Sequence, residues 1–318
     1  MSRLIILGNG FDIAHGIPTA YREFRKWLIE RYPDSLAFRE ATISIEEYAD
    51  LSVEEVAAET LFYAMDHAAG EEWNDFETAL GRIHFKDKLP DPLPEEDDEN
   101  DPKHNEKMGQ YLLRVSALSN AIIQSAEECW SSFFSGWIKS VEKKIEQGCY
   151  TTRPALVRLF SDPSNMYLTF NYTKTLQYIY GVRAVKHIHN RVGQELVFGH
   201  GNDHARYDEP YDNDDRFPIA ASTLDDFIQS LRKNIGKQLR KYSDFFKKLD
   251  TGIDRVYTYG FSYSTVDNPY IKEVIKQISP NAVWCFTDYE TSQKEEIRRK
   301  KITLRRNGFK GSFDTFEG

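Results

Sequence analysis

Cysteine is scarce in this chain: Cys129, Cys149 and Cys285 are the only three among 318 residues. Widely spaced, they form neither a C-x-x-C pair nor an even framework, which argues against a disulfide-stapled scaffold and fits a reducing compartment. Long apolar runs are lacking as well. The opening stretch Leu4 to Leu7 is too short to cross a bilayer and follows no basic leader, so a soluble, cytoplasmic protein without a membrane partner is expected. Positive charge is in deficit, the formal net charge being -9. That balance opposes non-specific association with nucleic acid but leaves room for a local basic groove. Also missing are a Gly-Lys-Ser/Thr phosphate loop, a complete G-x-G-x-x-G fingerprint, a G-x-S-x-G elbow and a His-Glu-x-x-His zinc helix.

What is present is alternation of strand-like and helix-like segments in a chain long enough to bury a full core. Leu4-Ile5-Ile6-Leu7 is a continuous apolar run, the pattern of a strand covered on both faces, and Gly8-Asn9-Gly10 turns it towards a helix from Phe11. Gly16-Ile17-Pro18-Thr19 interrupts that helix, and Thr19 is placed to cap another near Tyr21 to Tyr32. Apolar periodicity predicts helices over about Glu46 to Ala68 and, as one or two elements, Gln110 to Ile145. Between them, Pro90 to Pro102 with its run Glu95 to Glu99 reads as an exposed loop. After Pro154 the predicted strands are Met166 to Phe170, Ala184 to Ile188, Leu196 to Phe198, Arg255 to Tyr259 and Val283 to Phe286, and the predicted helices Thr223 to Leu249 and Thr265 to Ile278. Arg232, Lys233, Lys237, Arg240 and Lys241 read as a solvated face, with a phosphate or nucleic-acid groove as the alternative. The expected architecture is α/β: a parallel or mixed sheet from residues 1–20 and 150–318, forming a nucleotide-binding core, with a large helical insertion over residues 21–149.

Polar residues suited to ligand chemistry gather at the predicted strand ends. Gly8, Asn9 and Gly10 allow a ligand close to the backbone, and a helix starting there can aim N–H groups at phosphate oxygens. Asp12 can accept from ribose hydroxyls or cap the helix. Asn171 can orient water or a ribose hydroxyl, while Thr173 and Thr175 fit either a site or a helix cap. His187 and His189 alternate on a strand and share a face; with His200, Asp203 and His204 they serve acid–base chemistry, packing or a metal. Gly260, Ser262, Ser264 and Asp267 read as a pocket wall offering ribose or phosphate hydrogen bonds, Asp267 doubling as a possible cap.

Taken in order, Leu7-Gly8-Asn9-Gly10-Phe11-Asp12 with His15 to Thr19, Trp73-Asn74-Asp75-Phe76-Glu77, Phe170-Asn171-Tyr172-Thr173, His187-Ile188-His189, and Tyr259-Gly260 through Tyr270 resemble the AbiH family of bacterial phage abortive-infection proteins. More distantly they resemble the SIR2-like proteins, whose core binds NAD and whose defensive members include NAD-consuming enzymes. This second resemblance implies a Rossmann-like/SIR2-like fold with no metal favoured. It matches Gly8, Gly10 and Asp12 to the nucleotide loop, Asn171 to a strand-end asparagine and His189 to a His-Gly landmark, where Asn190 replaces the glycine. The implied function is an anti-phage effector hydrolysing NAD to nicotinamide and ADP-ribose. Asn171 and His189 would be catalytic, and Gly8, Asn9, Gly10, Asp12, Thr19, Gly260, Ser262 and Asp267 would hold the cofactor. A phage-derived trigger and a homo-oligomer belong to the same expectation. The alternatives are a metal-dependent nucleic-acid hydrolase using His187, His189, His200 and Asp203, and a non-catalytic sensing or partner-binding module.

Overall fold

A computed structural model of the chain describes residues 2–36, 51–83, 102–148, 150–201 and 218–318. In chain order its main elements are β1 (Ser2–Leu7), α1 (Asn9–Ala14), α2 (Tyr21–Arg31), α3 (Val53–Ala69), α4 (His104–Glu146), α5 (Pro154–Phe160), β2 (Met166–Thr169), α6 (Thr175–Tyr180) and β3 (Val185–His187). There follow α7 (Pro218–Ser230), α8 (Ile235–Lys241), α9 (Ser243–Lys247), β4 (Ile253–Tyr259), α10 (Asn268–Gln277), β5 (Val283–Thr287), α11 (Asp288–Ser292), α12 (Lys294–Arg306) and β6 (Ser312–Phe316).

Every strand pairing is parallel, and the order is β3-β2-β1-β4-β5-β6. This is the doubly wound order, in which the direction of strand addition reverses between β1 and β4; ligands of such sheets bind beyond the carboxyl ends near that reversal. The apolar run of β1 is explained by its two covered faces. Leu4 and Ile6 pack with Val256, Trp284, Tyr270 of α10 and Leu304 of α12, whereas Ile5 and Leu7 pack with Phe11 of α1, Phe160 of α5 and Leu176 of α6. Alternate side chains of one strand thus anchor helices on both sides of the sheet.

The chain divides into two compact units, one of residues 1–20, 135–197 and 234–318 that holds the whole sheet, the other of residues 21–134 and 198–233. The second unit is helical, and α3 starts on a capping box between Ser52 and Glu55. Its core is aromatic, with Phe24, Trp73, Phe76 and Phe134 meeting edge to face or tilted, and Phe198 stacked at 4.9 Å on Phe134. Asp66 ties this core together, accepting from Trp73 Nε1 at 2.7 Å and from Arg25 at 2.9 and 2.8 Å. Among the described residues, no helix is long and apolar enough to cross a membrane.

Several expectations are corrected. Leu196 to Phe198 is not a strand; Val197 N–H instead donates to the His189 carbonyl at 2.9 Å. The predicted helix Thr223 to Leu249 is broken into α7, α8 and α9, with Asn234 capping α8 by accepting from Lys237 N–H. Lys233, expected on a solvated face, is buried and donates to Glu77 at 2.8 Å. The Gln110 to Ile145 periodicity belongs to one 43-residue helix, α4. Residues Pro90 to Asp101 of the expected loop, Cys149, Asp203 and His204 lie outside the described residues.

Candidate functional site

At the reversal point the backbone of α1 meets the end of β4. Gly8 N–H donates to Tyr259 O at 3.1 Å, Gly10 N–H to Gly260 O at 2.9 Å and Phe11 N–H to Gly8 O at 2.9 Å. A β-carbon on Gly8 would lie 2.5 Å from Gly260 O, and one on Gly10 2.6 Å from Gly260 Cα. Gly260 itself has φ of +60°, and a β-carbon there would lie 2.3 Å from the Gly10 carbonyl carbon. These three glycines are therefore demanded by backbone packed on backbone. Of the first-turn amides expected to face phosphate, those of Gly10 and Phe11 serve protein carbonyls. Asn9 Nδ2 donates to Thr19 O at 2.8 Å across the bend. Thr19 is buried, and its hydroxyl oxygen has no hydrogen-bond partner.

One turn further along α1, Asp12 is fully buried. Asn171 Nδ2 donates to its Oδ1 at 2.9 Å and Thr173 Oγ1 to its Oδ2 at 2.5 Å, with Thr175 Oγ1 3.0 Å from Thr173 Oγ1. Asp12 is thus the hub of a polar cluster joining the ends of β1 and β2, which decides against the capping reading. Burial pushes its carboxyl up from 3.8 to about 6, against the lowering effect of the hydrogen bonds from Thr173, Thr175 and Asn171. Asn171 is held from both sides: its N–H donates to Thr169 Oγ1 at 3.1 Å and its carbonyl accepts from His187 Nδ1 at 3.0 Å. Its own Oδ1 is buried without a hydrogen-bond partner. That orphaned acceptor is suited to a donor from outside the chain, such as a sugar hydroxyl.

The two histidines do not act as a pair. His187 has Nδ1 against the Asn171 carbonyl, an acceptor only, so Nδ1 carries the proton and Nε2 accepts from Gln177 Nε2 at 2.7 Å. Burial first, then Arg191 and Lys174, lower its pKa to about 4 and keep it neutral. His189 lies beyond the end of β3, its Nε2 3.2 Å from Asp267 Oδ1, while Ser264 Oγ donates to Asp267 Oδ2 at 3.1 Å. Asp267 makes no side-chain cap at α10. The rings of Phe170, Tyr172 and Tyr270 surround His189 at centroid distances of 5.4 to 5.8 Å, leaving it 2% exposed.

Ser262 is solvent-exposed and stands apart from this polar cluster's hydrogen bonds. Asn190 is a turn residue with φ of 61°, donating to Glu195 O and accepting from Lys241 Nζ. His200 falls in the second unit, fully buried, with Nε2 2.8 Å from Ile228 O. Among the described residues no group of three or more His, Cys, Asp or Glu side chains is gathered to hold a metal ion. Sequence reasoning missed Gln177, whose Nε2 donates to His187 Nε2, and Arg153, which donates to Tyr259 Oη at 3.1 Å and to Ala14 O at 2.5 Å. It also missed Glu142, which accepts from the Lys174 N–H at 2.9 Å. Gln177 and Glu142 lie in helices that carry no motif, and Arg153 stands in extended backbone just before α5. Cys129 and Cys285 are free and buried, and burial pushes the Cys285 thiol up to about 11, far from a reactive thiolate.

A family model described as "Bacteriophage abortive infection AbiH" covers residues 4–288, from β1 to the start of α11. No curated protein and no solved structure matches the chain.

Proposed function

The chain belongs to the AbiH family of bacteriophage abortive-infection proteins, and on that premise we propose that it is a phage-defence effector hydrolysing NAD at the carboxyl ends of its central strands. The observation that carries the reading is Asn171: a buried amide fixed by Asp12 through Nδ2, with Oδ1 left to accept from a ligand. It follows β2, and the His189–Asp267 pair follows the neighbouring β3 together with β4, so amide and imidazole issue from adjacent loops of the same sheet edge. The fit to NAD is divided. The ribose hydroxyls suit Asn171, whereas the glycine turn is filled by Gly260 and is assigned no phosphate contact.

In the proposed reaction the bond from ribose C1′ to the nicotinamide nitrogen breaks, and its electron pair leaves with nicotinamide. Water oxygen bonds to C1′, and the released proton passes to His189, whose Nε2 lies 3.2 Å from Asp267 Oδ1. Asp12 contributes by positioning Asn171. Because His189 is enclosed by aromatic rings, substrate entry requires that enclosure to open, as suits an effector kept silent until infection.

The test measures NAD, nicotinamide and ADP-ribose by chromatography in cells protected by this protein during phage infection, and with purified protein exposed to infected-cell lysate. NAD is expected to fall with matched appearance of both products, and His189→Ala and Asn171→Ala, shown folded by circular dichroism, are expected to abolish this. Protection with NAD unchanged overturns the reading.

A further inference from the structure

We propose that the outer face of α12, together with β6, is a binding site for single-stranded nucleic acid. This surface lies beyond residue 288, outside the stretch matched by the family model. It is a groove of about 660 Å³ lined by Ile297, Arg298, Lys301, Ile302, Arg305, Arg306 and Phe313. On α12, positions 298, 301, 302, 305 and 306 recur at the spacing of one helical face, and the cations from Arg298 to Arg306 span about 12 Å along the axis.

The inner and outer cations of this helix are treated differently. Lys300, on the face with buried Ile297 and Leu304, is neutralised by Glu290 at 2.7 Å and Glu296 at 2.8 Å. Among the described residues, Arg298, Lys301, Arg305 and Arg306 have no ion-pair partner. The acidic side chains of β6 and its flank are engaged elsewhere, Asp314 with Arg255 at 3.3 Å and Glu317 with Arg158 at 3.2 Å. Arg305 and Arg306 sit in the last helical turn, where the helix dipole favours cations. That effect fades within a turn and does not account for Arg298 or Lys301. Four uncompensated cations on one face of a chain with net charge -9 point to a polyanion.

The floor of the groove selects among polyanions. Phe313 lies under Arg305 at 4.6 Å and Lys301 at 5.4 Å, and Ile302 is exposed beside it. Aromatic and cationic groups interleaved in one groove are the arrangement that holds unstacked bases while tracking their phosphates. A bilayer surface would need larger apolar side chains to insert, and Ile302 is the only large hydrophobic of the groove exposed on the helix.

Fluorescence anisotropy of the full chain with labelled oligothymidylate and oligouridylate of about 20 residues tests this, with duplex DNA and phosphatidylserine-containing vesicles as competing arms. Binding to single strands is expected, with log K falling against log salt at a slope of up to about -3, since each neutralised phosphate contributes about -0.7. The combined variant Arg298→Gln, Lys301→Gln, Arg306→Gln keeps Arg305 and its bond to Phe309 O; it is expected to lose at least about tenfold in affinity and about two units of slope. Phe313→Leu is expected to weaken binding with the slope unchanged. The proposal is overturned if single strands do not bind, if duplex or vesicles bind more tightly, or if the folded triple variant binds like the parent.

Discussion

Replacing Gly10 by alanine separates packing from ligand binding at the glycine turn. A β-carbon there would stand 2.6 Å from Gly260 Cα and 3.0 Å from Gly260 O, whereas carbon atoms prefer about 3.5–4.0 Å. Both sides of this contact are backbone, tied by the Gly10 to Gly260 hydrogen bond at 2.9 Å, so no side chain can rotate away. Relief demands a shift of roughly an ångström between α1 and the end of β4, where Leu7 pairs with Tyr259. Overpacking of this kind costs about 1–3 kcal/mol, and the absence of a movable side chain places Gly10→Ala near the upper end. Alanine in a helix recovers about 0.8–1 kcal/mol relative to glycine, and Gly10 lies within α1. The expected net loss is therefore about 2 kcal/mol. Urea unfolding followed by circular dichroism reads it as a lower midpoint with unchanged slope. A midpoint equal to or above the parent's would refute the packing argument and return the glycine to a ligand role.

Three further outcomes follow from other buried polar groups. Thr19→Val removes a buried hydroxyl that has no partner and is expected to raise stability by about 1 kcal/mol; a loss of stability in thermal unfolding would show that the hydroxyl is satisfied in solution. Lys300→Met leaves the buried Glu290 carboxylate without its 2.7 Å partner and is expected to cost about 3–5 kcal/mol; a urea midpoint within error of the parent's contradicts this. Asp12 has a folded pKa raised from 3.8 to about 6, so the native state holds this proton more tightly and the associated stability, complete below about pH 4, is lost as pH rises through about 6. Asp12→Asn lacks that linkage, so the stability of the parent minus that of the variant is expected to fall by up to about 3 kcal/mol between pH 4 and 7, and a difference independent of pH refutes the raised carboxyl.

The sheet was legible because it rests on local pattern. Leu4 to Leu7 announced a strand covered on both faces, and helices are found on both. Strand β6 and helix α12 escaped because Lys294 to Arg306 carries a dense charge pattern that masks its apolar stripe of Ile297 and Leu304, one inward position being filled by a paired lysine. The site residues were chosen by chemistry type, and Asp12, Asn171, His189 and Asp267 do stand at strand ends of one sheet edge. Their pairing was hidden: Asp12 and Asn171 are 159 positions apart, and nothing local tells a carboxyl that caps a helix from one that meets an amide across a sheet. Close approach is what glycine permits, but the approaching group is Gly260, a backbone from the other side of the reversal point.

Where that backbone lies constrains any nucleotide that the edge accepts. In a doubly wound sheet the reversal between β1 and β4 is the usual seat of a phosphate, because helix amides point there. Here the amides of Gly10 and Phe11 are consumed and the space is closed by three glycines, while the orphaned acceptor sits one strand over, at Asn171 beyond β2. A ligand that matches this edge therefore brings hydrogen-bond donors to Asn171 and draws no anchoring from the glycine turn. Ribose hydroxyls satisfy the first condition whatever the rest of the molecule is. A phosphate contribution to affinity would have to come from outside that turn, and comparing the affinity of nicotinamide mononucleotide with that of nicotinamide riboside, which differ by one phosphate, measures it directly. If the two bind alike, the site recognises the nucleoside; if the mononucleotide binds far more tightly, a phosphate contact exists that the Gly10 and Phe11 amides do not supply.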